Sequence, residues 1–242
     1  FKEKGWFSRS YALLPMDVRQ EAADETTVAL AELLKSASAH EVRVASRLFP
    51  QDMSPYGWSG FSMVPTADAV SVWLPPETCF NLQAMQLAQD RGSEIWFSAD
   101  RPPYSGSTSI HAPESFVRVL GWQTASAKAH ALHLGAINRW PSDPAQNSPS
   151  ACIAADSRTL IYPGAPYGLD VPVQSLRLKW LRQSMQDAAY LRLLRERGLE
   201  HVGHGLNTAL VSHLGMDACR THYADAKPIG WPDRPEAFSL SR

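Results

Sequence analysis

No run of about 18 apolar residues occurs in the chain, so a membrane-spanning helix is excluded. Charge of one sign is missing too. Lys and Arg total 23 and Asp and Glu total 24, a formal net charge of −1. That balance leaves no basic footprint for nucleic acid or an anionic membrane surface. Cysteine is scarce, with Cys79, Cys152 and Cys219 widely spaced and no CxxC pair. This spacing argues against a disulfide framework or a zinc knuckle. There is no Gly-rich phosphate loop and no GxSxG nucleophile elbow. The sequence starts at Phe1, without Met and without a signal-peptide pattern, inside a strand-like motif. The expectation is therefore the C-terminal part of a longer protein, with an upstream domain.

What is present is ordinary core material. Hydrophobic residues are 44% and charged residues 19% of 242. That excludes a disordered chain, and the length suits one large domain or one and a half at roughly 150 residues each. Tryptophan (8) and proline (18) are generous. Indoles in a near-neutral chain suit stacking on a sugar, although Trp is also core material.

Short β-rich runs recur every 25–40 residues, at 10–14 (SYALL), 41–48 (EVRVASRL), 69–74 (AVSVWL), 94–98 (EIWFS) and 132–138 (LHLGAIN). Helical patterns follow at 24–36, 78–91 and 113–129, and later at 174–197 and 207–223. In the 174–197 helix, Leu178, Leu181, Met185 and Ala188 form the expected core stripe. Residues 141–150 read as a polar loop, and the tail after Lys227 as irregular. This is the rhythm of βα units, with a mainly parallel sheet and helices outside it. About 100 residues follow the fifth strand, so a full eight-unit barrel does not fit. The residues alone leave two architectures: part of a barrel, or an open doubly wound sheet.

Parallel α/β folds bind ligands at the carboxyl ends of their strands. Those positions hold Asp17, Arg47, Trp73, Glu77, Trp96, Phe97, Asp100, Asn138, Arg139 and Trp140. Indole faces cover the apolar side of a pyranose, while Asn, Arg and carboxylates bond its hydroxyls. The same tryptophans could equally plug the end of a barrel. Glycoside cleavage needs a proton donor and a group that stabilises the cationic centre. Asp17 is the best-placed carboxylate, whereas Glu21, Asp24 and Glu25 read as a solvated helix entry. No metal is expected. His130 and His133, three apart in or before a strand, point to opposite faces, and no third ligand has a recognisable spacing. No cofactor is expected either.

Four segments in order carry a resemblance: 116–123 (FVRVLGWQ), 135–140 (GAINRW), 160–164 (LIYPG) and 175–194 (SLRLKWLRQSMQDAAYLRLL). Together they resemble the catalytic domain of glycoside hydrolase family 123 and its relatives. Residues 5–17 (GWFSRSYALLPMD) resemble the family's strand leading to its catalytic pair, and Trp96-Phe97 its W-W-Y segment. The resemblance implies a (β/α)8 barrel, usually preceded by a β-sandwich, with Phe1 near the fourth barrel strand. It also implies β-N-acetylgalactosaminidase-type chemistry assisted by the substrate's own acetamido group. An Asp there orients the amide, and the adjacent Glu donates the proton. This sequence reads Met16-Asp17-Val18-Arg19 where the family has Asp-Glu-Pro. If Asp17 matches the family's Asp, Val18 stands in the donor's place and cannot donate a proton; if Asp17 matches the Glu, Met16 replaces the amide-orienting Asp. Gln186-Asp187-Ala188-Ala189 also departs from the family's E-D-Y-E.

The expected fold is α/β: the C-terminal part of a (β/α)8 TIM-type barrel with additional C-terminal helices. The barrel segment would span 1–200, and 201–242 would be a helix and irregular tail. The expected function is action on a glycan, an N-acetylhexosaminide by resemblance, with a degenerate acid/base pair. Asp17 is the catalytic candidate, and Arg47, Trp73, Trp96, Asn138 and Trp140 are the substrate-binding candidates. Trp122, Arg118, Arg177 and Tyr190 read as scaffold. The alternatives are a catalytically inactive barrel kept for carbohydrate binding or scaffolding, and an unrelated open α/β protein. An extracellular or periplasmic location is expected.

Overall fold

A computed structural model describes residues 2–14, 22–38, 41–47, 70–75, 80–99, 102–142, 148–212 and 230–240. It divides into two compact units. One comprises Phe1–Ser98, Ala129–Ala131 and Met216–His222. The other comprises Ala99–Lys128, Leu132–Gly215 and Tyr223–Arg242.

In the first unit, β1 (Tyr11–Leu13), β2 (Arg43–Ser46), β3 (Val72–Trp73) and β4 (Glu94–Ser98) pair in parallel. The helices α1 (Ala22–Ala37) and α2 (Leu82–Asp90) serve as crossovers. Next in the sheet is β5 (Ala131–His133), giving the order β1-β2-β3-β4-β5. The fold is therefore α/β with a parallel sheet, as the βα rhythm predicts. Leu14, Val44 and Ala31 bury together with Leu30 and Leu34, so α1 covers one face of the sheet. α2 starts where Asn81 accepts a hydrogen bond from the Ala84 amide at 3.0 Å, and Ala84, Met85 and Ala88 line its buried side. Past the helix, Gly92 takes φ 89°, a conformation that glycine adopts without strain.

The sheet curls. Tyr11 on β1 and Trp96 on β4 meet with ring centroids 4.7 Å apart. Two strands lie between them, and a flat sheet would hold their backbones about 14 Å apart. Tyr11, Arg43 and Trp96 therefore stand on a concave face, and α1 lies on the convex one.

The second unit is helical. α3 (Glu114–Ser126) packs on α5 (Leu176–Glu196). α6 (Glu200–Leu210) adds to both, and Asn207 Nδ2 donates to the Trp122 carbonyl of α3 at 3.2 Å. Ser175 caps α5 by accepting from the Leu178 amide at 3.2 Å, and Gly198 ends it at φ 74°. A short antiparallel pair, β6 (Ile161–Tyr162) with β7 (Val173–Gln174), precedes α5. The closing segment lies on α3: Trp231 meets Phe116 edge-on at 5.1 Å, and Phe238 meets Trp122 at 6.3 Å.

Three expectations need correction. Residues 149–150 were expected in a loop, yet α4 (Pro149–Ala155) starts there, with Ser148 as its cap and proline in its first turn. A helix was expected over 207–223, but α6 runs from Glu200 to Leu210, and residues 213–223 lie outside the described ones. Glycine lowers helix propensity, and packing overrides that preference here: Gly203 lies against Leu191 and Leu194 of α5. The tail also carries a helical turn, α7 (Ala237–Leu240), seated by the buried Phe238.

Where α3 crosses α5, the Gly121 amide donates to Ser184 Oγ at 2.6 Å, and that hydroxyl donates to the Arg118 carbonyl at 2.8 Å. A Cβ at Gly121 would lie 2.0 Å from the Ser184 carbonyl oxygen. Alanine gains about 1 kcal/mol of helix propensity over glycine. The clash is with backbone, which can be relieved only by separating the helices. Gly121→Ala is therefore expected to lose about 1–3 kcal/mol net, read as a lowered urea midpoint. A midpoint equal to the parent's would show that the crossing can open freely.

Candidate functional site

Register and alternation decide which strand-end residues share a face. Ala45 pairs with Val72, and Val72 with Glu94, so these three point the same way. Ser46, Trp73 and Ile95 then point the other way. Trp73 is 0% exposed, so its indole is core, facing away from Trp96. Trp96 is half-buried on the concave face with Glu94. Arg47 follows β2 and is exposed, and the same alternation carries it to that face.

Trp96 is the centre of a cluster that the strand-end reading missed. Its Nε1–H donates to Glu94 Oε2 at 3.2 Å. Arg43 Nη1 pairs with Glu94 Oε1 and donates to the Tyr11 hydroxyl at 3.2 Å. The Arg43 guanidinium also lies over the Tyr11 ring, 5.5 Å from its centroid. The available signal was the two-residue step from Glu94 to Trp96, which puts both on one face. The reading instead followed the carboxyl ends, and Tyr11, Arg43 and Glu94 begin their strands.

Asn138, Arg139 and Trp140 belong to the second unit. Asn138 and Arg139 are exposed and Trp140 is half-buried. The Trp140 indole donates to the Ile161 carbonyl at 2.8 Å, and Thr159 Oγ1 donates to the Arg139 carbonyl at 3.1 Å. Arg177, at the start of α5, holds this region from below. It donates to the carbonyls of Thr108, Ser157 (2.9 Å) and Thr159 (2.6 Å) and to the Tyr162 hydroxyl (2.9 Å). Gly164 ends the YPG turn, where a Cβ would lie 2.0 Å from the Val171 carbonyl oxygen.

Arg118, Trp122 and Arg177, expected as scaffold, are buried, and Tyr190 is exposed. Asp17, Val18, Glu77 and Asp100 lie outside the described residues, as do Cys79 and Cys219. Cys152 is buried, and burial pushes its thiol up, so it is held as a thiol and is a poor nucleophile. Among the described residues no group of three or more His, Cys, Asp or Glu could hold a metal ion, and no helix is long and apolar enough to cross a membrane.

The family model described as glycoside hydrolase 123, catalytic domain, matches residues 1–194. The chain belongs to glycoside hydrolase family 123. This family 123 chain also resembles a solved structure, a family 123 glycoside hydrolase from Clostridium perfringens whose subject is glycolipid glycan hydrolysis. The TM-score is 0.61 at 18% identity, so the likeness is one of fold. It covers 99% of this chain and 40% of that one, so the chain spans less than half that structure's length. A search of curated protein sequences finds no match.

Proposed function

We propose that this family 123 chain is the C-terminal part of a (β/α)8-type barrel acting on a glycan of the N-acetylhexosaminide class. The family match carries the reading, and the curled parallel sheet supports the barrel. Asp17 is the carboxylate proposed for the chemistry. Trp96 and Trp140 are the proposed sugar-stacking groups, each with its indole N–H tethered and a half-buried ring. Asn138 is proposed to bond hydroxyls and Arg47 to meet an acidic sugar, and both are exposed. The buried Trp73 is left to the core. The setting proposed is extracellular or periplasmic.

A second reading rests on one observation, the Val18 that follows Asp17. With no proton donor there, the barrel would serve for carbohydrate binding rather than cleavage. Aryl β-N-acetylhexosaminides separate the two. On the first reading they turn over, and Asp17→Asn lowers the rate about 10²–10⁴-fold, the usual scale for losing an acid/base group. Turnover that survives the substitution would remove Asp17 from the chemistry. Absence of turnover, with N-acetylhexosamine still bound in calorimetry, would favour the recognition reading.

A further inference from the structure

We propose that Glu94 is a positioning residue for the Trp96 indole, with Arg43 as its brace. The proposal rests on the reading of Trp96 as a sugar-stacking group. The contacts close a ring drawn from three strands. Trp96 donates to Glu94, Arg43 pairs with Glu94 and donates to Tyr11, and Tyr11 sets its ring at 61° to Trp96. Trp96 is half-buried, so packing alone fixes its ring less firmly than that of the buried Trp73. The χ2 torsion of an indole is broad, and a polar tether at Nε1 narrows it. A partner that can swing would transmit nothing. Glu94 is fixed on both sides, because one carboxylate oxygen takes the indole N–H and the other takes the guanidinium.

This chemistry requires two acceptors at one side chain. Glutamate has them, whereas glutamine of the same shape offers one acceptor and an NH2. In Glu94→Gln, that NH2 must face either the indole N–H or the guanidinium, and one link breaks without a change of volume. A merely structural ion pair at a partly exposed site would contribute little and would leave the indole where it is.

The test uses the full chain labelled with ¹⁵N, which has 8 indole N–H groups. Trp96→Phe assigns the Trp96 signal by its disappearance. In Glu94→Gln that signal is expected to move and its N–H to exchange faster, with the urea midpoint close to the parent's. Binding of p-nitrophenyl N-acetyl-β-galactosaminide is expected to weaken about 5- to 10-fold, the scale of one lost hydrogen bond. Restoration of both signal and affinity by Glu94→Asp would also count against the proposal, because a shorter side chain cannot span both partners. An unmoved Trp96 signal in Glu94→Gln overturns the proposal whatever the ligand does. Trp96→Phe binding the probe as tightly as the parent overturns the stacking reading, and with it the proposal. Loss of binding in Trp96→Phe with parent-like affinity in Glu94→Gln leaves the stacking group standing and removes its relay.

Discussion

Asp187→Ala is expected to lower stability by about 3–5 kcal/mol, the usual cost of removing one partner of a buried ion pair. Asp187 is 2% exposed and its partner Arg118 is 3% exposed. One carboxylate oxygen, Oδ2, accepts from Arg118 Nη2 at 3.2 Å and from the Trp122 indole at 3.3 Å. Alanine leaves the guanidinium facing an apolar interior, with the Phe238 ring 5.8 Å away. Its desolvation is then uncompensated, and the Trp122 N–H loses its acceptor as well. The loss should hardly change between low salt and 0.5 M salt, because buried pairs are screened far less than surface ones. Asp187→Asn keeps an acceptor for the indole and should lose less. Urea unfolding at two salt concentrations measures all three claims. A loss below about 1 kcal/mol would place the pair with surface ion pairs, which contribute that little.

Arg177→Ala is expected to cost about 3 kcal/mol or more. Three backbone carbonyls and a phenol oxygen converge on this guanidinium, and the side chain is 6% exposed. Each buried carbonyl left without a donor costs about 1–3 kcal/mol, and entering water recovers part of that, so the lower end of the sum applies. Arg177→Lys keeps the charge but not the planar fork, and should recover less than half of the loss. The damage should also reach the loop bearing Trp140. Thr159 and Ile161 are the residues that hold that loop, and Arg177 holds the Thr159 carbonyl. Hydrogen exchange at the Leu160 and Ile161 amides, both bonded to the Ile137 carbonyl, reports this directly. Unchanged protection there in Arg177→Ala would separate the clamp from the loop.

The elements were legible where burial is one-sided or complete. β4 occupies residues 94–98 as expected, because its apolar run is short and bounded. α5 was legible as a helix, but its buried face was not. The stripe Leu178, Leu181, Met185 and Ala188 marked the expected core side, yet the buried residues are Arg177, Leu181, Ser184, Asp187 and Leu191. Met185 is 38% exposed. The helix turns its polar residues inward because Arg177, Ser184 and Asp187 each have partners waiting on facing segments. Hydrophobic spacing cannot register a buried network of that kind. Trp73 and Trp96 were indistinguishable in sequence for a different reason. Their faces depend on the pairing of β3 with β4, which a single chain does not display.

The chain leaves the first unit after Ser98 and returns to it for Ala129–Ala131. That brief return matters to β4. The His130 amide donates to the Ile95 carbonyl at 2.7 Å, and the Ile95 amide donates to His130 Nδ1 at 3.1 Å. One histidine thus completes both backbone groups of a strand residue encoded 35 positions earlier. A recombination event between residues 98 and 129 that brings another residue to position 130 would keep the backbone donor to the Ile95 carbonyl but strip the Ile95 amide of its side-chain acceptor. Those stretches are therefore expected to travel together through evolution as one heritable block, even though a helix of the other unit is spelled out between them.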